Sequence, residues 1–242
     1  MINFFGKIRK KLAAENKVAK YLRYAIGEIL LVVIGILIAL QINNWNENRK
    51  DSILELKILK SLHIDLEKNI KDVRAMISDD SLINVKNKIL LEILKDKNSH
   101  YNDSMKIYFG SINRYWIFFP QSIAYETLKS KGLTTIKNDT LRSKIVELYE
   151  VTYFKMSHQL ELKKDLYINS NNLINKRLRT LENINEKVPV DFEKLKTDNE
   201  FINTVSHFSA EQENYLGHSK SILSATVAVN NDVQKEIIRL EE

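Results

Sequence analysis

An unbroken apolar run near the N-terminus constrains this chain more than any other feature. From Ile29 to Leu40 every residue is apolar or glycine, and the stretch from Tyr24 to Ile42 is broken only by Glu28 and Gln41. As an α-helix those 19 residues measure about 28 Å, close to the ~30 Å hydrocarbon core of a bilayer. The run predicts one membrane-spanning helix over residues 24–45.

Two other interpretations of the run compete with a membrane anchor. A buried helix of a soluble protein rarely stays apolar on every face over this length. A cleaved signal peptide has a shorter apolar region, followed by small residues at the cleavage site. Here the run ends in Ala39-Leu40-Gln41-Ile42-Asn43, without an A-x-A pattern. The sequence therefore favours an uncleaved signal anchor.

Positive charge is concentrated beside this run. Residues 1–23 contain seven Lys or Arg and a single acid, which gives them the whole net charge of +6, while the remainder balances 30 basic against 30 acidic residues. Because a folded nucleic-acid-binding domain needs a basic face, we expect no nucleic-acid partner. Lys and Arg stay on the cytoplasmic side, so residues 46–242 are predicted to lie across a bacterial inner membrane, in the periplasm.

The basic segment 1–23 has two interpretations of its own. Apolar residues recur at helical spacing among its lysines and arginines, which indicates an amphipathic helix lying on the anionic inner leaflet. Alternatively, the segment is a frayed basic tail that only sets the topology. These apolar residues are Phe4, Phe5, Ile8 and Leu12.

The predicted membrane helix carries candidate functional residues. Glu28, Gly35 and Ala39 fall within about 40° of one another on the helix, and Gly35-x-x-x-Ala39 is a small-x-x-x-small pair that permits close helix packing. This stripe predicts a self-association or partner face, although Glu28 lies near enough to the cytoplasmic end to reach interfacial water. Tyr21, Tyr24 and Trp45 are the expected anchors at the two membrane interfaces.

The N-terminal block resembles that of an uncharacterised bacterial family of single-span membrane proteins, a domain of unknown function. Two segments carry the closer similarity, FFGKIRKKL and NKVAKYLRY, which lead into YAIGEILLVVIGILIALQINNWNE at residues 24–47. A looser similarity covers Ser122–Tyr149. The resemblance implies a membrane-anchored protein with an extracytoplasmic helical domain. It implies no activity, cofactor or catalytic residue.

Residues 46–242 predict an all-α domain, a bundle of long helices. Six glycines and two prolines in the chain leave few helix breaks, and none lies between Gly35 and Gly110. A helical stripe from Leu56 to Ile77 is predicted to end at Ser78–Ser81, where a second helix begins with Leu82, Val85, Ile89 and Ile93 on one side and Leu90 and Leu94 beside them. Further helices are expected over 121–131, ended by a left-handed cap at Gly132, and over about 141–181, capped by Asn138 or Asp139. A short helix is expected from Asp191 and a long one over 201–240, with a break at Val188-Pro189.

An aromatic segment from Lys106 to Pro120 is the least helical part of this domain. We expect a short strand or an ordered loop there, with its rings more often in the core than in a ligand site. If one patch binds a ligand, the sequence points to Tyr115, Trp116, Phe118 and Phe119.

No catalytic, metal-binding or cofactor-binding motif is present in the sequence. There are no cysteines, the five histidines form no ligand pattern, and the glycines form no phosphate-binding loop. His63 and Glu67 are a lone pair for which a surface hydrogen bond is expected. We therefore expect a structural or protein–protein interaction component of a membrane assembly, with a protein partner or a second copy of the chain. The alternative is an extracytoplasmic small-ligand sensor signalling through a partner, and an enzyme with a site of generic residues stays open.

Overall fold

The computed structural model describes Lys7, residues 18–114 and residues 117–242, and of residues 18–21, 24, 159–163 and 165–166 it describes the backbone alone. The chain divides into two compact units, Met1–Leu54 and Glu55–Glu242. The described residues are overwhelmingly helical, which confirms the all-α prediction apart from one small two-stranded sheet. The amphipathic helix expected over residues 1–23 lies mostly outside the described residues.

Helix α1, Val18–Lys95, runs unbroken from the apolar run past Trp45 and through Ser78–Ser81, where it was predicted to end. The Asn-rich stretch around Trp45 stays helical, and the break expected at Ser78–Ser81 is wrong. Ser81 donates its hydroxyl hydrogen bond to the Ile77 carbonyl at 2.7 Å, and Asp80 is fully buried, so both polar residues are accommodated inside the helix.

The buried face of the second half of α1 agrees only in part with the expected one. Leu90 and Leu94, which were expected beside that face, are buried, whereas Leu82 and Val85 are exposed and Ile83 is buried instead. The stripe that begins at Leu59 continues in register through Met76 to Leu94, since the helix never restarts. One core cluster combines the end of α1 with the chain's later elements, and its members are Leu90, Leu94, Met105, Phe109, Ile112, Ile174, Leu178, Phe192, Leu195, Phe201 and Val205.

The segment after α1 consists of short elements. A 3₁₀ turn at Asp103–Met105 leads into α2, Lys106–Phe109, and the described part of Lys106–Pro120 contains no strand. Helix α3, Ile123–Lys131, ends at Gly132, whose φ of 102° is a conformation that favours glycine. Its ψ of 128° is extended, so the expected left-handed helical cap is wrong in that detail.

Helix α4, Asp139–Val146, begins at the predicted cap, because the Asn138 side chain accepts the Leu141 N–H. It continues through a π-helical turn, Glu147–Tyr153, into α5, Phe154–Arg177. The predicted end near Leu181 is wrong: β1, Leu178–Thr180, pairs antiparallel with β2, Lys187–Pro189. Val188-Pro189 therefore forms a strand, which Pro189 tolerates at an end position.

The C-terminal part follows the predicted boundaries closely. Asp191 caps the short helix α6, Phe192–Leu195, and Asp198 caps α7, Asn199–Glu241, by accepting the Phe201 N–H at 3.1 Å. Gly217 lies inside α7 without interrupting it. The long helices α1 and α7 contact each other through buried side chains such as Met76 and Tyr215.

The stability that the Asp198 cap gives to the helical domain depends on pH. The Arg177 guanidinium bonds the Asp198 carboxylate at 2.6 Å and holds the pKa of that carboxyl below its usual value. A lowered folded-state pKa gives stability that is present above the unfolded pKa, near 4, and is lost as pH falls through the folded value. We expect Asp198→Asn, which retains a capping oxygen, to lose about 1 kcal/mol at pH 7 and progressively less as the pH falls below the unfolded pKa. Denaturant unfolding followed by near-ultraviolet circular dichroism measures this; a loss that stays constant down to the lowest pH at which the chain folds would contradict it.

Candidate functional site

The apolar run of α1 has no partner inside the described chain. The large apolar side chains described between Leu22 and Trp45 are 44–65% exposed, and this is the one described helix long and apolar enough to cross a membrane. Exposed patches beyond a few hundred Å² are rare on soluble monomers and mark protein or membrane interaction surfaces. By length and composition, the apolar run of α1 could therefore cross a membrane.

The small-residue stripe lies on that surface. A Cβ atom added at Gly35 meets nothing within 4 Å, and the same holds at Gly27, about 100° around the helix from Glu28. Ala39 is exposed and Glu28 is partly exposed. Each glycine in a helix interior costs about 1 kcal/mol relative to alanine, and no described residue of this chain packs into the space that these glycines leave.

Trp45 is the only predicted interface anchor whose side chain is described. It is 65% exposed, and the Arg49 guanidinium lies 6.0 Å from its ring centroid, in the range of a cation–π contact. The backbones of Tyr21 and Tyr24 lie in α1, but their side chains are outside the described residues.

The two described members of the predicted aromatic patch differ in burial. Phe118 is buried, with its ring edge-on to Tyr153 at 5.4 Å, whereas Phe119 is 73% exposed. Tyr115 and Trp116 lie outside the described residues. Phe118 thus belongs to the core, as was expected of most of these rings, and the patch as a binding site stays a prediction.

A row of tyrosines extends from Phe118 toward the surface. Tyr149 stacks on Tyr125 with ring centroids 4.4 Å apart and meets Tyr153 edge-on at 5.2 Å. Burial raises the pKa of Tyr153 to about 12 and raises that of Tyr149 further, so neither phenol ionises near neutral pH. At the outer end, Tyr125 and Lys129 both donate hydrogen bonds to Glu150 at 2.9 Å, which lowers the pKa of that carboxyl.

Three buried polar residues on α1 hold backbone groups of the segment around α3. Asn69 accepts the Gln121 N–H at 2.7 Å and donates to the Gln121 carbonyl at 3.1 Å. Asp65 accepts the Ala124 N–H at 2.9 Å, and Glu55 accepts the Lys137 N–H at 2.8 Å. Unpaired backbone groups would be costly inside the domain, so these side chains fix how the segment lies on α1.

These polar acceptors were not found by sequence reasoning. The available signal was their position, since Asp65 and Asn69 interrupt the leucine stripe at the spacing of its own face. The pattern shows that they face inward. It does not show which backbone group, dozens of residues away in sequence, each one meets.

His63 and Glu67 are linked through a third residue. The His63 ring nitrogen Nδ1 lies 2.8 Å from Asn230 Oδ1, and the Asn230 amide donates to Glu67. Asn230 is buried on α7, so the pair predicted at the surface connects α1 with α7. Within the described residues no group of three His, Asp or Glu side chains is arranged to hold a metal ion.

Comparison with known proteins identifies the family. A family model described as a family of unknown function, DUF6090, matches residues 28–209, which is most of the chain. Neither the curated proteins nor the solved structures give a match. The match begins inside the apolar run and includes the helical segments up to the first part of α7. The chain therefore belongs to the DUF6090 family of unknown function.

Proposed function

We propose that the protein is a single-pass, membrane-anchored helical protein that acts as a structural or interaction component of a membrane assembly. The exposed apolar half of α1 carries this proposal, because no described part of the chain covers it and its length matches a bilayer core. The neighbouring basic segment 1–23 would contact anionic lipid on the cytoplasmic side. The Trp45–Arg49 pair suits the opposite interface, where an amphipathic ring and a cation are both favoured.

An interaction role is supported by how the domain uses its polar groups. Asp65, Asn69 and Glu55 hold backbone amides, and the tyrosine row is packed with phenols that stay protonated. These contacts make a stable domain but do not place a nucleophile, a base and an open site together. A domain held together in this way can present a fixed helical surface to another protein.

The orientation can be tested with reporter fusions to the C-terminus of the full chain. If residues 46–242 lie on the periplasmic side, alkaline phosphatase fused after Glu242 should be active, because this enzyme folds only in an oxidising compartment. A fluorescent protein that matures only in the cytoplasm should be dark at the same site. Fluorescence from that fusion combined with an inactive phosphatase would reverse the proposed orientation.

The stripe of Glu28, Gly35 and Ala39 is the proposed packing face for a second copy or a partner helix. Gly35→Leu fills the space through which another helix would approach, so we expect the oligomer to dissociate at least tenfold more readily in detergent. Gly27→Leu is the matched control, since it adds the same side chain to the same helix about 80° around from Gly35 and should weaken association less. Crosslinking and sedimentation in mild detergent measure both. If Gly35→Leu and Gly27→Leu weakened association equally, the proposed packing face would be contradicted.

A further inference from the structure

A shallow groove runs along one side of α1 at the end of the apolar run. Its volume is about 430 Å³, and every residue that lines it is exposed. At 1.5 Å per residue the lining extends about 12 Å along the helix axis, which is long enough for the upper part of a lipid acyl chain. The lining residues are Leu37, Ile38, Gln41, Ile42 and Trp45.

Gln41 places the one amide side chain in this otherwise apolar groove. The side chain is exposed and makes no hydrogen bond with any residue that the structure describes. An amide beside hydrocarbon is costly unless a partner satisfies it. In the proposed anchor Gln41 lies one residue before the end of the apolar run, the level at which the ester carbonyls of a phospholipid meet its acyl chains. An ester carbonyl is therefore an acceptor that the Gln41 amide can reach.

A guanidinium lies beside the ring that closes one end of the groove. Arg49 Cζ is 6.0 Å from the ring centroid of Trp45, which lines the groove. Arg49 makes no ion pair with the described part of the chain, because Glu47 pairs instead with Lys50 at 3.1 Å. Arginine binds phosphate oxygens with two parallel hydrogen bonds, and its plane also stacks on aromatic rings. Arg49 can therefore contact Trp45 and a phosphate at the same time.

The height of Arg49 on the helix fits the headgroup layer of a bilayer. Its Cα lies about 10 Å along the axis beyond that of Ile42, where the apolar run ends. Side chains on a helix lean toward its N-terminus, which is the direction of Trp45 here. The guanidinium therefore falls in the interfacial layer, which is about 5 to 8 Å thick on each side of the hydrocarbon core.

The charges near Arg49 are separated around the helix. At 100° per residue Glu47 and Asp51 both lie about 160° from Arg49, on the opposite side of α1. Between residues 37 and 51 the groove side thus carries a cation and no acid. That arrangement is complementary to a headgroup with a net negative charge.

We propose that this side of α1 binds one anionic phospholipid, with an acyl chain in the groove, an ester carbonyl on Gln41 and the phosphate on Arg49. The proposal rests on the membrane anchor proposed above and adds to it a lipid of stated charge, at the membrane interface opposite the basic segment 1–23. The lipid site is centred away from the packing face, because Trp45 and Gln41 lie about 80° and 120° around the helix from Gly35.

The test measures which lipid lies beside Trp45 in the full chain, reconstituted in phosphatidylcholine vesicles with a minor fraction of phosphatidylglycerol. Trp116→Phe leaves Trp45 as the only tryptophan, and bromine atoms on a neighbouring acyl chain quench its fluorescence. Two samples of identical lipid composition carry equal amounts of bromine, either on phosphatidylglycerol or on phosphatidylcholine. Brominated phosphatidylglycerol should quench Trp45 about threefold more strongly. Equal quenching by the two lipids would overturn the proposal.

Two substitutions separate a lipid site from general attraction to positive charge. Arg49→Gln should make the two brominated lipids quench equally. Lys50→Gln removes the same charge one residue away, about 100° around the helix, and should keep the preference. The proposal is overturned if both variants lose the preference or if both keep it. Flotation of the same vesicles distinguishes the anchor from the lipid site: a chain that floats without a preference contradicts the lipid site alone, whereas a chain that does not float contradicts both.

Discussion

Two aspartates placed in the apolar run should release the protein from the membrane. Ile34→Asp combined with Leu37→Asp puts two carboxylates at the centre of the exposed segment, where each costs about 3 kcal/mol of insertion free energy. The combined cost is large enough to abolish stable insertion of a single helix. Alkaline carbonate extraction followed by ultracentrifugation measures the effect, and the variant should move from the pellet to the supernatant.

A matched control lies on the same helix. Leu82→Asp combined with Val85→Asp makes the same chemical change at the same spacing, on residues that are exposed to the same degree, 57% and 54% against 53% and 55%. Because those two side chains lie in the second unit, the control should remain in the membrane pellet. If both variants stay in the pellet, the apolar run is not the anchor.

Gly110→Ala should destabilise the helical domain by about 3 kcal/mol or more. The added methyl group would lie 1.8 Å from the Asn185 carbonyl oxygen and 2.9 Å from the Glu186 nitrogen, and both are backbone atoms that cannot rotate away. Relief of the clash requires the hairpin turn to leave α2, which also separates Lys106 from Glu186. Denaturant unfolding of the full chain in non-ionic detergent measures the loss.

The same substitution at another glycine should have the opposite sign. A Cβ added at Gly217, in the interior of α7, meets nothing within 4 Å, and alanine is favoured over glycine in a helix by about 1 kcal/mol. Gly217→Ala is therefore expected to raise the stability by about that amount. A Gly110→Ala variant as stable as the natural chain would show that the hairpin turn does not pack on Gly110.

Two helix caps were the part of the domain that the sequence predicted well. Asn138 and Asp191 sit immediately before helices, and a side-chain oxygen there satisfies an N–H only three residues away. Such interactions depend on neighbours in sequence. The predicted break at Ser78–Ser81 failed because serine and aspartate only weakly disfavour a helix, and the packing of α1 in the domain outweighs that preference.

By itself the sequence determined the apolar run, the basic segment beside it and the predominance of helix, since these follow from composition and local periodicity. Only the tertiary structure decided that α1 is one helix from Val18 to Lys95, that Asp65 and Asn69 hold the start of α3, and that the hairpin turn at Asn185 packs on Gly110. The physical reason is that these outcomes depend on partners distant in sequence. A periodic pattern states which face of an element is buried, but the identity of the group that it meets is set by how the elements pack.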